Sequence, residues 1–407
     1  MKLLLSLVLA LTFSTPFLSH ADTSTTDITV GKKVILQSKI LNEDRPIRIF
    51  IPDTVKDDQP LYVIYLLDGV EHFHTASGVV KSLVDYEQIP NAMLVGVDTT
   101  YRVRDYLPKV EGEPKTEFQT FVKNKWPDAG QTDNFLKFVS NELMPYINSN
   151  YSTNGYNTLI GHSNAGTLAL YTLVNQPELF NNYIAISPNS WWSDEELKNN
   201  IIKYAKNPKG AQELFISVAS EGARFYTGVL NTLVNLEQQM PTQLKWEYKH
   251  YPTFSHMGTI LPALSDSLIT LFSDLIFKVT DEHGKFADVS LITGYYQALS
   301  DKYGFELKIP QDVYVEFAHS QQKFGNTKKA ITTLKRFTRD YPNAAYSHMR
   351  LSQGYTADKQ FKEAVTSMKH ALKLAKQNSR DPMLIDALKD MVNEALKDMV
   401  NEAQENL

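Results

Sequence analysis

The feature that most constrains this chain is a series of short, unbroken apolar runs separated by helix-length amphipathic stretches. Leu61–Leu67 reads LYVIYLL, and Ala92–Val97, 156–160, 183–186 and 214–218 are runs of the same kind. A strand that is apolar at every position has no face to offer water. It belongs inside a parallel sheet that is covered on both sides. The clearest intervening helix pattern covers 133–151, where Phe135, Phe138, Val139, Leu143 and Ile147 fall at helical spacing behind Asp133, an aspartate able to cap the helix. Upstream, 28–41 and 45–51 read as an antiparallel start, the second alternating around Ile47, Arg48, Ile49 and Phe50. Alternating β and α segments predict an α/β fold, a mostly parallel sheet with helices on both faces.

Beyond Phe277 the pattern changes. Residues 278–288 are polar and linker-like, and everything after them reads as helix. A 34-residue self-similarity aligns Ala330 with Ala364, Leu334 with Met368, Phe337 with Ala371 and Phe317 with Leu351. With Tyr314, Ala318 and Pro342 in the first unit, and Ser352 and Tyr355 in the second, this spacing matches tetratricopeptide-like helix pairs. A C-terminal all-α domain of that kind would dock a protein partner or shade the mouth of a site. The last helix carries ALKDMVNE twice, at 387–394 and 395–402. An eight-residue period drifts about 80° around a helix per copy, so the duplication holds no constant face.

The chain has 407 residues, no cysteine and a net charge of −5. It therefore has neither a disulfide framework nor a thiolate nucleophile, and no basic stripe suited to nucleic acid. Met1-Lys2, an apolar core over residues 3–13, and Ser19-His20-Ala21 compose a secretory signal cut after Ala21. The mature protein is expected to be exported, periplasmic or secreted. The most apolar later segment, 260–277, is interrupted by Asp266 and Asp274, so no membrane span is expected after signal removal.

Chemistry concentrates at Gly161-His162-Ser163-Asn164-Ala165-Gly166, which follows the run 156–160 and precedes a helical pattern over 164–176. A serine on a sharp strand-to-helix turn is a nucleophile elbow, and its neighbours two residues away must be small. Gly161 and Ala165 meet that demand, with Ala165 one methyl larger than the usual glycine. Serine needs a base, which in this arrangement follows the last strand. His256 lies in the loop after the strand-like 244–251, whereas His250 lies within that strand. The orienting acid should follow the preceding strand, where Ala219-Ser220-Glu221-Gly222 offers Glu221; Asp194 is the alternative. Backbone amides of Asn164 and Gly69 are the candidates for the oxyanion hole. His72 and His74 lack third and fourth ligands at recognisable spacing, so neither metal nor cofactor is expected.

LLDG, Arg102-Val103-Arg104-Asp105-Tyr106-Leu107-Pro108, NELMPYI, GHSNAG and Ile186-Ser187-Pro188-Asn189-Ser190-Trp191-Trp192 occur in that order. Together they resemble the esterase family of α/β-hydrolases that includes enterochelin-type siderophore esterases, feruloyl esterases and S-formylglutathione hydrolases. The resemblance spans about residues 25 to 280. It implies carboxylic-ester hydrolysis by Ser163, His256 and Glu221, with a small or siderophore-like ester as substrate. The segment from Ser300 to Phe305 and the repeats after it resemble the extension of an exported bacterial subgroup. Departures are Ala165 and Asn189, where glycine and serine are commoner. The expected division is 1–21 signal, 22–280 esterase domain, 281–310 linker with helix, and 311–407 repeats with a terminal helix. Arg102 and Arg104 are candidate contacts for an anionic substrate or members of structural salt bridges. Trp191 and Trp192 are candidate walls of an aromatic acyl pocket, or packing residues. An acyltransferase or a peptidase on the same scaffold, and an interaction protein working through its repeats, are the alternatives. The insertion over 108–133 is expected to shape selectivity.

Overall fold

The computed structural model describes residues 26–55, 59–109, 112–190, 192, 196–239, 244–379 and 381–405. The expected signal, 1–21, lies outside them; among the described residues no helix is long and apolar enough to cross a membrane. Among the described residues, eight strands form one sheet: β1 (Lys32–Ser38), β2 (Glu43–Phe50), β3 (Leu61–Leu67), β4 (Ala92–Val97), β5 (Thr153–His162), β6 (Asn182–Ile186), β7 (Glu213–Ala219) and β8 (Lys245–Tyr251). Their order is β1-β2-β4-β3-β5-β6-β7-β8. The β1–β2 and β2–β4 pairs are antiparallel, and every pair from β4 to β8 is parallel.

Sequence and position in the sheet agree strand by strand. All seven residues of β3 and of β7 are buried, as are those of β4 and β6. At the two edges, β1 (KKVILQS) and β8 (KWEYKHY) alternate half-buried and exposed side chains, because an edge strand is covered mainly on one face. Strand alternation splits β3 between two cores. Tyr62, Ile64 and Leu66 face one; Leu61, Val63, Tyr65 and Leu67 face the other, which holds the helix residues Phe135, Leu168 and Ile201.

The helix expected over 133–151 differs from its simple form. It runs as Thr132–Phe138, a π-helical turn at Val139–Leu143, and Met144–Asn150. Pro145 has no N–H to give and its ring crowds the preceding turn, and the wider turn just before it absorbs both problems. Asp133 does not cap this helix; its carboxylate accepts the Tyr171 hydroxyl at 2.9 Å. Glu142 caps the β1–β2 turn instead, accepting the Lys39 amide at 2.9 Å and the Ile40 amide at 3.2 Å.

The polar stretch 278–288 is not an open linker. Thr280 and His283 form a capping box for the helix Asp281–Phe286. That helix lies so close to the helix Gln311–Lys323 that a Cβ on Gly284 would meet the Ser320 hydroxyl at 2.2 Å. Later helices begin at Gln311, Thr327, Ala345 and Phe361, so the second pair starts 34 residues after the first. The aligned pairs Phe317/Leu351, Ala330/Ala364 and Phe337/Ala371 are all buried. In the terminal helix Val392 is buried while its duplicate Val400 is 49% exposed, as the drift of an eight-residue period requires.

The helical extension shares a core with the sheet. Tyr303 packs on Tyr156 of β5 at 5.0 Å and on Phe272 at 5.7 Å. Lys302 pairs with Glu213, the first residue of β7, at 2.9 Å and with Asp274 at 2.7 Å. These contacts engage the amino ends of the strands. The helix that opens the extension, Ser290–Tyr303, is therefore seated at the end of the sheet opposite the loops described next.

Candidate active site

The loops after β3, β5, β7 and β8 meet at the carboxyl ends of the parallel strands, where open α/β sheets bind ligands. Ser163 directly follows β5 and is the N-cap of the helix Asn164–Asn175, with φ 61° and ψ −121°. A positive φ strains a serine, and the surroundings over-determine it. Its amide donates to Ile186 O at 2.9 Å, and its carbonyl accepts from Thr167 at 3.1 Å and Asn189 at 3.3 Å. A Cβ on Gly161 would strike Ala165 O at 2.1 Å, so glycine is obligatory there. The methyl of Ala165 is fully buried without a comparable clash, and the turn closes despite the departure from glycine.

His256 and Glu221 sit on the two neighbouring loops, which are tied together by the Ser220 amide donating to Phe254 O at 2.9 Å. His256 Nδ1 lies 3.2 Å from Glu221 Oε2, a contact short of good hydrogen-bond alignment. Such contacts commonly tighten only when substrate is bound. Burial pushes the Glu221 carboxyl up, but His256, the Ser187 hydroxyl and the Ala219 amide more than offset it, and its pKa ends below the ordinary value. Glu221 is thus an ionised acceptor facing the ring nitrogen of His256.

His162, given no role by the sequence, is part of this assembly. Its Nε2 lies 2.8 Å from the backbone carbonyl of His256, and the two rings are 4.6 Å apart. A carbonyl only accepts, so His162 Nε2 carries the hydrogen. Burial first, then the nearby His256, hold the His162 pKa down to about 3, and the ring is neutral. Phe225 packs on His256 at 5.0 Å, and His72 packs on His162 at 5.6 Å. His162, the last residue of β5, thus grips the loop bearing His256, while the adjacent Ser163 stands at the start of the next helix.

Gly69 and Asn164 are each the first residue of a helix, so their amides have no intrahelical partner and stand at the positive end of a helix dipole. A Cβ on Gly69 would meet Asp98 Oδ1 at 2.7 Å and Gly96 C at 2.8 Å, which restricts the position to glycine. Asn164 Oδ1 accepts from Asn189 Nδ2 at 3.0 Å, a bond that the commoner serine could not make in the same way.

The two arginines separate. Arg104 is spent on Glu43 at 2.7 Å and on Asp105 at 2.7 Å, in the same network as the buried Arg45. Arg102 grips Asp68 with two 2.9 Å bonds, and its side chain is 39% exposed. Trp192 is 2% exposed and packs with Leu107, Val103, Trp126 and Ala129; its indole donates to Pro108 O at 2.9 Å. It anchors the 108–133 insertion and also borders a cavity of about 370 Å³ lined by Pro108, Lys109, Gln119 and Trp126. Trp191 and the alternative acid Asp194 lie outside the described residues.

The comparisons with known proteins agree with this architecture. The ferri-bacillibactin esterase BesA of Bacillus subtilis is 29% identical over 166 residues, which cover 37% of this chain and 56% of that protein. The chain thus spans little more than half the length of that relative. An IroE-like serine hydrolase from Shewanella oneidensis superposes with a TM-score of 0.59 at 24% identity, covering 75% of this chain and 99% of that one. An uncharacterised protein from Capnocytophaga ochracea gives 0.64 at 15% identity over 90% of this chain and 99% of its own, so its fold likeness reaches into the helical extension. A family model described as "Putative esterase" matches residues 38–256, from the end of β1 to the loop bearing His256. With more than half its length under that match, and the elbow and its companion loops inside it, the chain belongs to the esterase family of α/β-hydrolases.

Proposed function

We propose that the protein is a serine carboxylic-ester hydrolase. Ser163 Oγ attacks the ester carbonyl while His256 Nε2 takes its proton, and Glu221 holds the His256 ring through Nδ1. The amides of Gly69 and Asn164 receive the oxyanion. His256 then protonates the departing alcohol, and water, deprotonated by the same ring, releases the acid. The carrying observation is the strained φ of Ser163 at the carboxyl end of β5, with base and acid on the loops after β8 and β7. Nothing at the site calls for a cofactor in this scheme.

For substrate, the reading is a small or siderophore-like ester, supported by the likeness to a ferri-bacillibactin esterase. The cavity beside Trp192 would take one side of it. Residues 22–280 compose the esterase domain in this scheme, and the pairs of helices from 311 onward are tetratricopeptide-like units, on the strength of their 34-residue offset. Export follows from the signal-like N-terminus.

The test is hydrolysis of p-nitrophenyl butyrate and labelling by a fluorophosphonate. Both should depend on Ser163: Ser163→Ala should remove them, and retained labelling would sink the assignment. A panel of short acyl, feruloyl and catecholate-siderophore esters, run with a competing alcohol, then identifies the substrate class and separates hydrolysis from acyl transfer.

A further inference from the structure

Arg102 looks like a substrate contact from sequence, since a half-exposed arginine beside a nucleophile suits an anionic ester. Its bonding says otherwise. The guanidinium makes a fork with Asp68, Nε to Oδ1 and Nη2 to Oδ2, both at 2.9 Å. Asp68 is 2% exposed and left-handed, with φ 54° and ψ 48°, and it immediately precedes Gly69. A non-glycine residue in that conformation is held there by its surroundings. The same Arg102 Nη2 reaches the carbonyl of His162, the residue before Ser163, at 3.4 Å. One guanidinium therefore spans the loop that presents the Gly69 amide and the turn that presents the Asn164 amide.

The short helix Arg102–Tyr106 that carries Arg102 is itself bolted down. Tyr106 is fully buried, and its hydroxyl accepts the Asp68 amide at 3.2 Å. Asp105 accepts from Arg45 at 2.6 Å, from Arg104 at 2.7 Å and from the Thr99 hydroxyl at 2.6 Å. The Gln131 amide donates to Arg104 O at 2.8 Å. Arg102 and Tyr106, one turn apart, thus hold the side chain and the amide of the same aspartate. A fork of two charge-assisted bonds fixes orientation as well as distance, which a lysine's point charge does not.

We infer that Arg102 is a positioning residue, acting through Asp68 and the His162 carbonyl to set the spacing of the two oxyanion-hole amides, and is not a substrate-anion contact. The inference rests on the serine-hydrolase reading above. Displacing preorganised donors by an ångström costs about 10²-fold in rate, and the loss falls on the transition state.

The test compares wild type, Arg102→Met, Arg102→Lys, Asp68→Asn and the double variant Arg102→Met/Asp68→Asn. Each is assayed on neutral p-nitrophenyl butyrate and on the anionic p-nitrophenyl hemisuccinate. Arg102→Met and Asp68→Asn should each lower kcat about 10²-fold on both esters, with KM changed less than about threefold. The double variant should be no worse than either single one, because the two side chains act as a unit. The Ki of phenylboronic acid, whose tetrahedral adduct on Ser163 fills the oxyanion position, should rise in step with the loss of kcat. Loss confined to the anionic ester, loss carried by KM, or additive effects would overturn the inference. If Arg102→Met fails to fold, Arg102→Lys decides: full activity on both esters would overturn it, and a shared fall in kcat supports it. Wild-type hydrolysis that survives Ser163→Ala would instead break the underlying reading, a distinct result.

Discussion

Glu221 Oε2 lies 3.2 Å from His256 Nδ1, each residue standing on a loop just past the carboxyl end of one of two neighbouring parallel strands. The pairing predicts a tautomer: with Nδ1–H directed at a carboxylate, Nε2 is left free for the proton transfer proposed above. Glu221→Gln keeps the shape but can present an amide N–H where an acceptor is required. It should lower kcat by about 10²–10⁴-fold with little change in KM, measured by steady-state ester hydrolysis. Because the Glu221 carboxyl titrates below its ordinary range, its stabilising contribution is present above that range and is lost as the pH falls through its folded-state pKa. The gap in stability between wild type and Glu221→Gln should therefore shrink in acid.

Ser163 pays in backbone strain for its place on the turn. Ser163→Gly should abolish activity and yet stabilise the fold by about 1 kcal/mol, since glycine adopts a positive φ at little cost. Ser163→Ala should be equally inactive without that gain. Differential scanning calorimetry separates them; a Ser163→Gly variant that melts below Ser163→Ala would show that the turn is not strained.

His162 is buried neutral, with its pKa depressed to about 3 from 6.5. The unfolded chain binds a proton below about pH 6.5 and the folded one resists until about pH 3, so stability must fall as pH drops across that window. At pH 5 the loss attributable to His162 is about 2 kcal/mol. His162→Gln, which keeps an N–H donor for the His256 carbonyl, should flatten the denaturant-midpoint profile between pH 7 and pH 5. An unchanged slope would refute the assignment.

Tyr303, 2% exposed, bridges the helical extension to the sheet through Tyr156 and Phe272. Tyr303→Ala should cost about 3–5 kcal/mol, the usual range for emptying an aromatic site in a core. Loss of esterase activity on heating should coincide with loss of helical circular dichroism, because the two parts share packing. Two well-separated transitions would show that they are thermodynamically independent.

Much of this was legible in the residues. LYVIYLL and its companions announce buried strands because burial on both faces leaves no polar position. Ser163 was legible because a strained turn restricts its neighbours to small side chains. For Arg102 the residues leave a substrate contact and a salt bridge equally open, since its partner Asp68 is 34 residues away in sequence and only the fold joins them. His162 has no role legible in the residues for a related reason: its partner is a backbone carbonyl, which has no signature in any sequence. The helix at 281–286 hid inside a polar stretch because its stability comes from a capping box and close docking rather than from an apolar stripe.

The contact between Tyr156 and Tyr303 also sets a schedule. Tyr156 lies in the strand that leads into Ser163, yet the ring that seals its amino end is synthesised only when the chain has grown to residue 303. Domains generally fold as units while the chain emerges. Here the strand leading into Ser163 stays unsealed until the helix Ser290–Tyr303 is available. A ribosome stalled before that point, or a protease cutting there, would leave a complete set of reactive groups on a sheet whose underside is still open to water.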